Sequence, residues 1–416
     1  MDVNIIELSI PIFFGFIGLE ILLTYLFRKP FFRLNDSIND LSCGIVKQVT
    51  EIFLKFAIVG VYIYVYQNFS LGKLNPALTI PNTWVWWVIA FFAWDFLYYW
   101  FHRKSHEVGI IWASHVVHHS SEEYNLTVAL RQSSFQGLFS MWFYLPMAFL
   151  GFTPEMFVIV SGINLLYQFV IHTRSVPKLG VLEYVMNTPS HHRVHHGKNP
   201  KYIDKNHAGV FIIWDRMFGT FQEEEEEPVY GITKPLASWN PVWANVHTFA
   251  ELFEEMGRAR GITDKLKVLF MPPGWRPDYN GGPVRVPDVH AETYQKYDPE
   301  VSTPVKVYAL AQFILVLLVA VKTLEYAHHG SPLVTAGLVF LIILSLTNIG
   351  TMLENKRWAY FSEFGRILTV SLIGFVATYQ TEFQLAGGII SISFLIISGI
   401  SLGWLWKQES IQLKLA

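Results

Sequence analysis

The histidines of this chain are the side chains best suited to chemistry, because they are numerous and clustered. Ten of the fifteen lie between residues 102 and 196, mostly in the segments HRKSH, HVVHH and HHRVHH. Imidazole nitrogen is a good ligand for iron, zinc, copper and nickel. Helical spacing of three or four residues places such side chains on one face. The sequence therefore predicts a metal site with more than one ion.

Adjacent histidines in two of these segments indicate how many ions there are. Neighbouring side chains on a helix diverge by about 100°, so a histidine doublet should serve two ions, and two doublets predict a dinuclear centre. The candidate ligands are His102, His106, His115, His118, His119, His172, His192, His195 and His196. Two further candidates are less securely placed: His191 lies outside the HxxHH register, and Gln168 lies one turn before His172. No role is predicted for the histidines at 207, 247, 290, 328 and 329.

Asp95 shares a helix face with His102 and His106, at positions i, i+7 and i+11. An acid this deep in an apolar helix is costly unless it has a partner. One interpretation makes Asp95 the acceptor that fixes the second ring nitrogen of a ligand imidazole, as carboxylates near metal sites often do. The other makes it a buried polar residue that caps another helix.

The residue types around the histidines exclude several other metal chemistries. The chain has one cysteine, Cys43, so neither a disulfide framework nor a cysteine metal site is expected. There is no repeated Glu-x-x-His motif of the soluble carboxylate di-iron bundles. Neither HxxHH triple has the internal glutamate of HExxH zinc hydrolases. The net charge of −2 and the lack of a basic stripe argue against a nucleic-acid partner.

The elements that must position these histidines are membrane helices. Apolar residues make up 52% of the 416 residues and charged residues only 15%, which is too apolar for an ordinary soluble protein. We predict an all-α, polytopic integral membrane protein with about nine spans. They lie near residues 8–27, 43–67, 83–101, 134–153, 155–172, 305–324, 332–350, 367–382 and 385–406.

The basic residues predict how the spans are oriented. Arg28 follows the first span, Arg103 and Arg131 flank the first histidine segments, and Arg366 lies before the eighth span. By the positive-inside rule these loops can all be cytoplasmic at once, with the N-terminus outside. Every clustered histidine then faces the cytoplasm. The host is either a bacterial cytoplasmic membrane or the endoplasmic reticulum.

The same patterns predict three parts of the chain. Residues 1–235 form a catalytic membrane domain, and residues 305–416 form a C-terminal region of four membrane helices. Residues 236–304, rich in Pro and Gly, form a loop-rich cytoplasmic connector or cap. Within the first part, the run Glu223–Glu227 is expected to be a solvated turn.

Two segments carry a resemblance to a known family: DFLYYWFHRKSHEVGIIWASHVVHHSSEEYNLTVALRQS and NTPSHHRVHHGKNPKYIDKNHAGVFIIWDRMFGTF. They resemble the membrane fatty acid hydroxylase/sterol desaturase superfamily. Within it they resemble the pterin-dependent branch that cleaves ether lipids. The resemblance implies that the nine histidines bind two Fe ions. The third motif reads Gln168-x-x-x-His172 instead of HxxxH, so Gln168, water or His191 would complete the ligand set.

The resemblance also implies an activity. A membrane di-iron monooxygenase would use O2 and a soluble reduced pterin, tetrahydrobiopterin or similar, to oxidise the carbon beside the ether oxygen of a 1-O-alkylglycerol. A fatty aldehyde and a glycerol derivative would result. Glu107 matches an acidic position linked to activity or pterin use.

Two other functions remain open at the level of sequence. The metal motifs also fit a C-hydroxylase or desaturase of sterols, fatty acids or carotenoids in the same superfamily. A histidine-rich metal transport protein is the alternative from another class, but it should have ligands along a path across the bilayer. Clustering of the histidines on one face disfavours transport.

Overall fold

The structure is a computed structural model that describes residues 5–379 and 384–415. Within those ranges the regular structure is helical and no strand forms, which confirms the predicted all-α class. The helices are α1 (Ile5–Leu26), α2 (Leu34–Phe69), α3 (Leu71–Leu74), α4 (Trp84–Glu107), α5 (Gly109–His119), α6 (Leu126–Ala129), α7 (Gln136–Leu150), α8 (Pro154–Ile171), α9 (Pro189–His195), α10 (Ile213–Phe218), α11 (Pro241–Arg258), α12 (Ile262–Phe270), α13 (Thr303–Ala327), α14 (Pro332–Leu353), α15 (Trp358–Thr378) and α16 (Gln384–Leu415).

Among the described residues, six helical stretches are long and apolar enough to cross a membrane. They are Leu34–Leu74, Pro154–Ile171, Thr303–Ala327, Pro332–Leu353, Trp358–Val376 and Gln384–Lys407. Each overlaps a predicted span. The other three predicted spans fall on α1, whose apolar stretch Pro11–Leu26 is shorter, on α4, and on α7, which has 15 residues.

The eighth span differs from its prediction. It was expected at 367–382, but α15 begins at Trp358, and residues 380–382 lie outside the described ranges. Arg366 therefore lies inside the helix rather than in a basic loop. Its guanidinium donates to Glu363 at 2.6 and 2.7 Å, and both side chains are buried. A buried charge needs such a partner.

The chain divides into two compact units. One comprises the described residues up to 236 together with 245–296, and the other comprises 237–244 and the described residues from 297 onwards. In the second unit, Glu363 also accepts hydrogen bonds from Tyr308 and Asn348 at 2.7 and 2.6 Å, so three of its helices share one buried polar network.

The first unit holds all of the clustered histidines. Its core lies where α4 packs against α5, α7 and α8, and it is rich in aromatic residues such as Trp94, Tyr98 and Tyr144. Trp94 stacks on Tyr144 with ring centroids 5.0 Å apart. Helices α5 and α8, which carry or precede histidines, both pack directly on α4, which carries two more.

Candidate metal centre

The nine candidate ligands form two groups in the first unit. Within each group, the ligand atoms lie within 4.8 Å of one another, and every side chain is buried. The first group consists of His102, His106, His115, His119 and His195. The second group consists of His118, His172, His192 and His196. Both doublets are divided between the groups, as the 100° divergence of adjacent helical side chains requires.

The ring nitrogens within each group converge on one another. In the first group, His115 Nε2 lies 3.0 Å from His102 Nε2 and 3.2 Å from His119 Nε2. In the second, His172 Nε2 lies 3.2 Å from His118 Nε2 and 3.0 Å from His192 Nε2. Imidazole nitrogens bound to one ion at roughly 2 Å are about 3 Å apart, so these spacings match neighbouring ligands of a single ion.

The opposite ring nitrogen, Nδ1, is anchored in five of the histidines. Four bond to backbone carbonyls at 2.6–3.0 Å: His102 to His207, His118 to Arg131, His172 to Gln168, and His195 to Lys205. The fifth, His115, bonds to Gln136 Oε1 at 3.0 Å. A donated Nδ1–H leaves the Nε2 lone pair free, and it also fixes the ring plane, which is the usual arrangement around a histidine metal ligand.

A buried arginine fixes the end of α5. Arg131 donates from Nε to the carbonyl of Val117 at 2.7 Å and from Nη2 to Ser120 Oγ at 2.8 Å. Its charge is paired with Asp40, 3.1 Å away and also fully buried. Because the Arg131 carbonyl anchors His118, this ion pair determines where one ligand of the second group lies.

The short helix α9, which carries HHRVHH, is held at both its start and its middle. Thr188 precedes Pro189 at the first helical position, and His191 Nδ1 accepts from the Thr188 backbone N–H at 3.4 Å. Arg193 makes a two-pronged contact with Glu224, both distances 2.7 Å. The run Glu223–Glu227 is therefore not merely a solvated turn, because Glu224 tethers the histidine helix.

The side chains of His191 and Gln168, the two less securely placed candidates, do not belong to either histidine group. His191 lies outside both groups, and its ring packs edge-on against Phe221. The Gln168 side-chain amide donates to Asn164 Oδ1 at 2.6 Å, while its backbone carbonyl anchors His172.

Asp95 also differs from its first interpretation. Its carboxylate accepts from the backbone N–H groups of Val210 and Phe211 at 2.8 and 3.1 Å, from Trp214 Nε1 at 2.9 Å and from Asn164 at 2.7 Å. No histidine ring is among these partners. The alternative, a buried acid that caps another element, is what the structure contains: Asp95 fastens the turn before α10 to α4 and α8.

Glu107 lies at the end of α4, next to His106 but outside both groups. Its two oxygens accept from Arg103 Nε at 2.7 Å and Lys104 Nζ at 2.6 Å. Partial burial works to raise its pKa, but these hydrogen bonds and positive charges prevail, and the pKa lies below its ordinary value. Glu107 is therefore an ionised, partly exposed carboxylate beside the first group.

His207 is a residue that the sequence reasoning passed over. It is fully buried, and its ring centroid lies 5.1 Å from that of His106 and 5.6 Å from that of His195. Its carbonyl anchors His102, and its Nε2 has no hydrogen-bond partner among the described residues. It follows His196 by eleven positions on a loop, so no helical spacing pointed to it.

Burial keeps the imidazoles uncharged. It lowers the pKa of His192, His195 and His196 well below the ordinary histidine value, and neighbouring imidazoles lower it further. The pKa of His115 falls to about 3 for the same reasons. Metals bind the neutral form of histidine, so these four imidazoles are in the protonation state that a metal requires at neutral pH.

Whether the two groups fit metal ions can be judged from ring nitrogens that have no hydrogen-bond partner. Among the described residues, the buried Nε2 atoms of His106, His195 and His196 have no hydrogen-bond partner. Buried polar atoms without a partner are costly and rare. All three belong to the two groups, and a bound cation would satisfy each of them. The donor set therefore fits two nitrogen-ligated ions.

Two family models match the chain. The model of the fatty acid hydroxylase family matches residues 87–220, which include every member of both histidine groups. The model of the alkylglycerol monooxygenase C-terminal domain matches residues 305–390, in the second unit. No solved structure matches the chain significantly.

Several characterised proteins are similar over most of the chain. The alkylglycerol monooxygenases of Xenopus tropicalis and Danio rerio are 39% and 40% identical to it, over 87% of the chain and 80% of each relative. The human alkylglycerol monooxygenase is 38% identical over 87% of the chain and 81% of its own length. With six long apolar helices in the part of the chain that the structure describes, and with relatives of this kind, this is an integral membrane protein. The chain belongs to the alkylglycerol monooxygenase family.

Proposed function

We propose that this chain is an O2-dependent monooxygenase that cleaves the O-alkyl bond of ether lipids of the 1-O-alkylglycerol type. Oxygen enters at the carbon beside the ether oxygen, and two electrons from a reduced pterin convert the second oxygen atom to water. The hydroxylated carbon then breaks its bond to the ether oxygen, so the products are a fatty aldehyde and a glycerol derivative.

The observation that carries the proposal is the division of nine buried imidazoles into two compact groups. It distinguishes an enzyme site from the metal transport alternative, because ligands of a transport path would be spread across the bilayer. We infer that the ions are two Fe ions held by the first and second groups. When bound, they supply the activation of O2 towards a C–H bond.

The protein orients the ligand imidazoles and excludes water from around them. The Nδ1 anchors on His102, His118 and His195 point the Nε2 atoms inwards. Burial removes water from around them, since His102 is fully buried and His195 nearly so. Because the ligands are already oriented and shielded from water, they need not rearrange during the reaction.

For the reductant, we propose that a soluble pterin such as tetrahydrobiopterin approaches beside Glu107. That carboxylate is ionised and partly exposed, and it lies next to His106 of the first group. An acceptor of this kind suits the N–H groups of a pterin ring. Glu107 is the catalytic or pterin-binding acid in this proposal, whereas Asp95 is a positioning residue.

For the membrane arrangement, we propose about nine spans, in which α1, α4 and α7 join the six apolar stretches. The basic loops then place both histidine groups on the cytoplasmic side. We retain three parts: a catalytic membrane domain over 1–235, a cytoplasmic connector over 236–304 and a C-terminal membrane region over 305–416.

The test is an aldehyde assay. Membranes containing the full chain are incubated with a 1-O-alkylglycerol, O2 and tetrahydrobiopterin, and the aldehyde is trapped. We expect the original chain to form aldehyde and His118→Ala to form none. The variant leaves the second group with only three imidazoles, which weakens its hold on the ion. His290→Ala is the matched control, since this exposed histidine lies outside both groups.

The same assay distinguishes the remaining alternative. If no aldehyde forms but a sterol, fatty acid or carotenoid is hydroxylated or desaturated, the chain is a C-hydroxylase or desaturase. If omission of the pterin leaves the aldehyde yield unchanged, the ether-lipid activity stands and the proposed reductant is wrong.

A further inference from the structure

Helix α12 has an apolar face that the other described residues of its unit leave exposed. Ile262, Leu266 and Phe270 are 71%, 48% and 61% exposed, and their spacing of four residues places them on one side of the helix. Val268, on another side, is buried. Three large apolar side chains aligned in this way form a surface that avoids water.

The far end of α12 is fixed to the start of α5. The Gly109 backbone N–H donates to the Met271 carbonyl at 3.0 Å, and a Cβ at position 109 would lie 3.0 Å from the Val268 carbonyl oxygen. Gly109 comes two residues after the end of α4. Helix α12 is therefore attached where α4 ends.

Helix α4 itself has the surface of a membrane helix at its other end. Trp84, Val88 and Ile89 are 77%, 46% and 41% exposed. With 24 residues, α4 is about 36 Å long at 1.5 Å per residue, enough to cross the hydrocarbon core. In the proposed membrane arrangement, α12 is thus attached near the end of a helix that crosses the bilayer.

We propose that the face formed by Ile262, Leu266 and Phe270 lies in the headgroup–acyl boundary of the same phospholipid bilayer that α4 crosses. With nine residues, α12 is too short to span and must lie along the surface. Lys267 is half exposed on a neighbouring side of the helix, where it can meet lipid phosphate. Apolar side chains on one side with a lysine beside them are typical of interfacial helices.

This surface determines the depth of the metal centre. Because α12 is bonded to α5, which carries His115 and His119 of the first group, that group is held close to the lipid boundary. The ether oxygen of an alkylglycerol lies at the same boundary, between the glycerol and the alkyl chain. The inference thus deepens the proposed function and rests on it, since it requires α4 to cross the bilayer.

Site-directed fluorescence tests this placement. In the full chain with Cys43→Ala, a single cysteine is introduced as Leu266→Cys, Val88→Cys or Glu254→Cys and labelled with an environment-sensitive dye. The protein is placed in phosphatidylcholine nanodiscs, and quenching by nitroxide-labelled acyl chains is compared with quenching by aqueous iodide. We expect the lipid quencher to act at least about twofold more strongly than iodide at positions 266 and 88. The reverse is expected at exposed, polar position 254.

The outcomes separate the inference from the proposed function. If the dye at position 266 is quenched mainly by iodide, as at position 254, while the dye at position 88 is quenched mainly by lipid, then α12 lies in water. The inference then fails, but the membrane arrangement of α4 stands. If 88 is quenched by iodide, the proposed arrangement fails as well. If neither quencher reaches 266, protein covers this face, as a second copy of the chain would, and the inference is overturned.

Discussion

At the scale of single residues, the adjacent histidines explain how one short segment serves two sites. His118 and His119 follow each other on α5, yet the first lies in the group of four and the second in the group of five. Removal of one imidazole should affect the two groups unequally. The smaller group loses a quarter of its donors, and the larger one only a fifth.

We therefore expect His118→Ala to lose more iron than His119→Ala. The iron content per purified chain, measured together with the Mössbauer signals of the two ions, checks this. His118→Ala should fall from about two to about one iron, while His119→Ala should keep more than one. His290→Ala should keep both. Equal loss of both ions in the two variants would show that the groups are not independent.

At the scale of elements, the metal centre depends on how a loop is fastened to helices. Residues 207–211 pass between α4 and α8, where Asp95 accepts the Val210 and Phe211 N–H groups. Gly209 fits there because it has no side chain. A Cβ would lie 2.6 Å from Asp95 Oδ1 and 2.9 Å from Asn164 Oδ1.

Gly209→Ala should accordingly displace this loop. Overpacking of a rigid interior costs about 1–3 kcal/mol, and the shift should also move the His207 carbonyl that anchors His102. We expect a lower apparent melting temperature in detergent and a weaker affinity for the first ion. Gly257→Ala is the control, because nothing lies within 4 Å of a Cβ there. Unchanged melting and metal affinity in Gly209→Ala would refute this account of the loop.

At the scale of the whole molecule, the metal centre buries many uncharged imidazoles in the protein interior. In the unfolded chain these histidines have an ordinary pKa of about 6.5 and gain protons as the pH falls through it. In the folded chain, burial lowers the pKa of residues such as His192 and His195, so they stay neutral. Below about pH 6.5 the unfolded state binds more protons, and acid therefore favours unfolding.

Metal-free protein should thus melt at lower temperature as the pH is lowered from about 7.5 to about 5.5. Apparent melting temperatures of chelator-treated protein in detergent measure this effect. Addition of iron should restore much of the loss, because a bound cation competes with protons for the same nitrogens. His290→Ala should show the same pH dependence as the original chain. A flat profile without metal would mean that the imidazoles are not buried in solution.

The structure brings together the nine histidines that the sequence singled out, but the contacts that hold them in place were not predicted. The division of His195 and His196 between groups follows from helix geometry alone, so spacing was enough. Of the two interpretations of Asp95, the one at a ligand ring is not what the structure contains: its carboxylate accepts from backbone N–H groups more than 110 positions away, and such a partner has no local signal in the sequence. Glu224 and His207 were missed for the same reason, because their importance comes from tertiary contacts.

The carbonyl anchors have a consequence for how the protein tolerates mutation. His102, His118, His172 and His195 are each oriented by a main-chain oxygen, which every amino acid provides. A point substitution at an anchoring position cannot delete the acceptor; it can only displace it. The orientation of these four rings should therefore tolerate substitution of the anchoring residues. The orientation of His115 should not, because its anchor is the side chain of Gln136, which a single substitution removes.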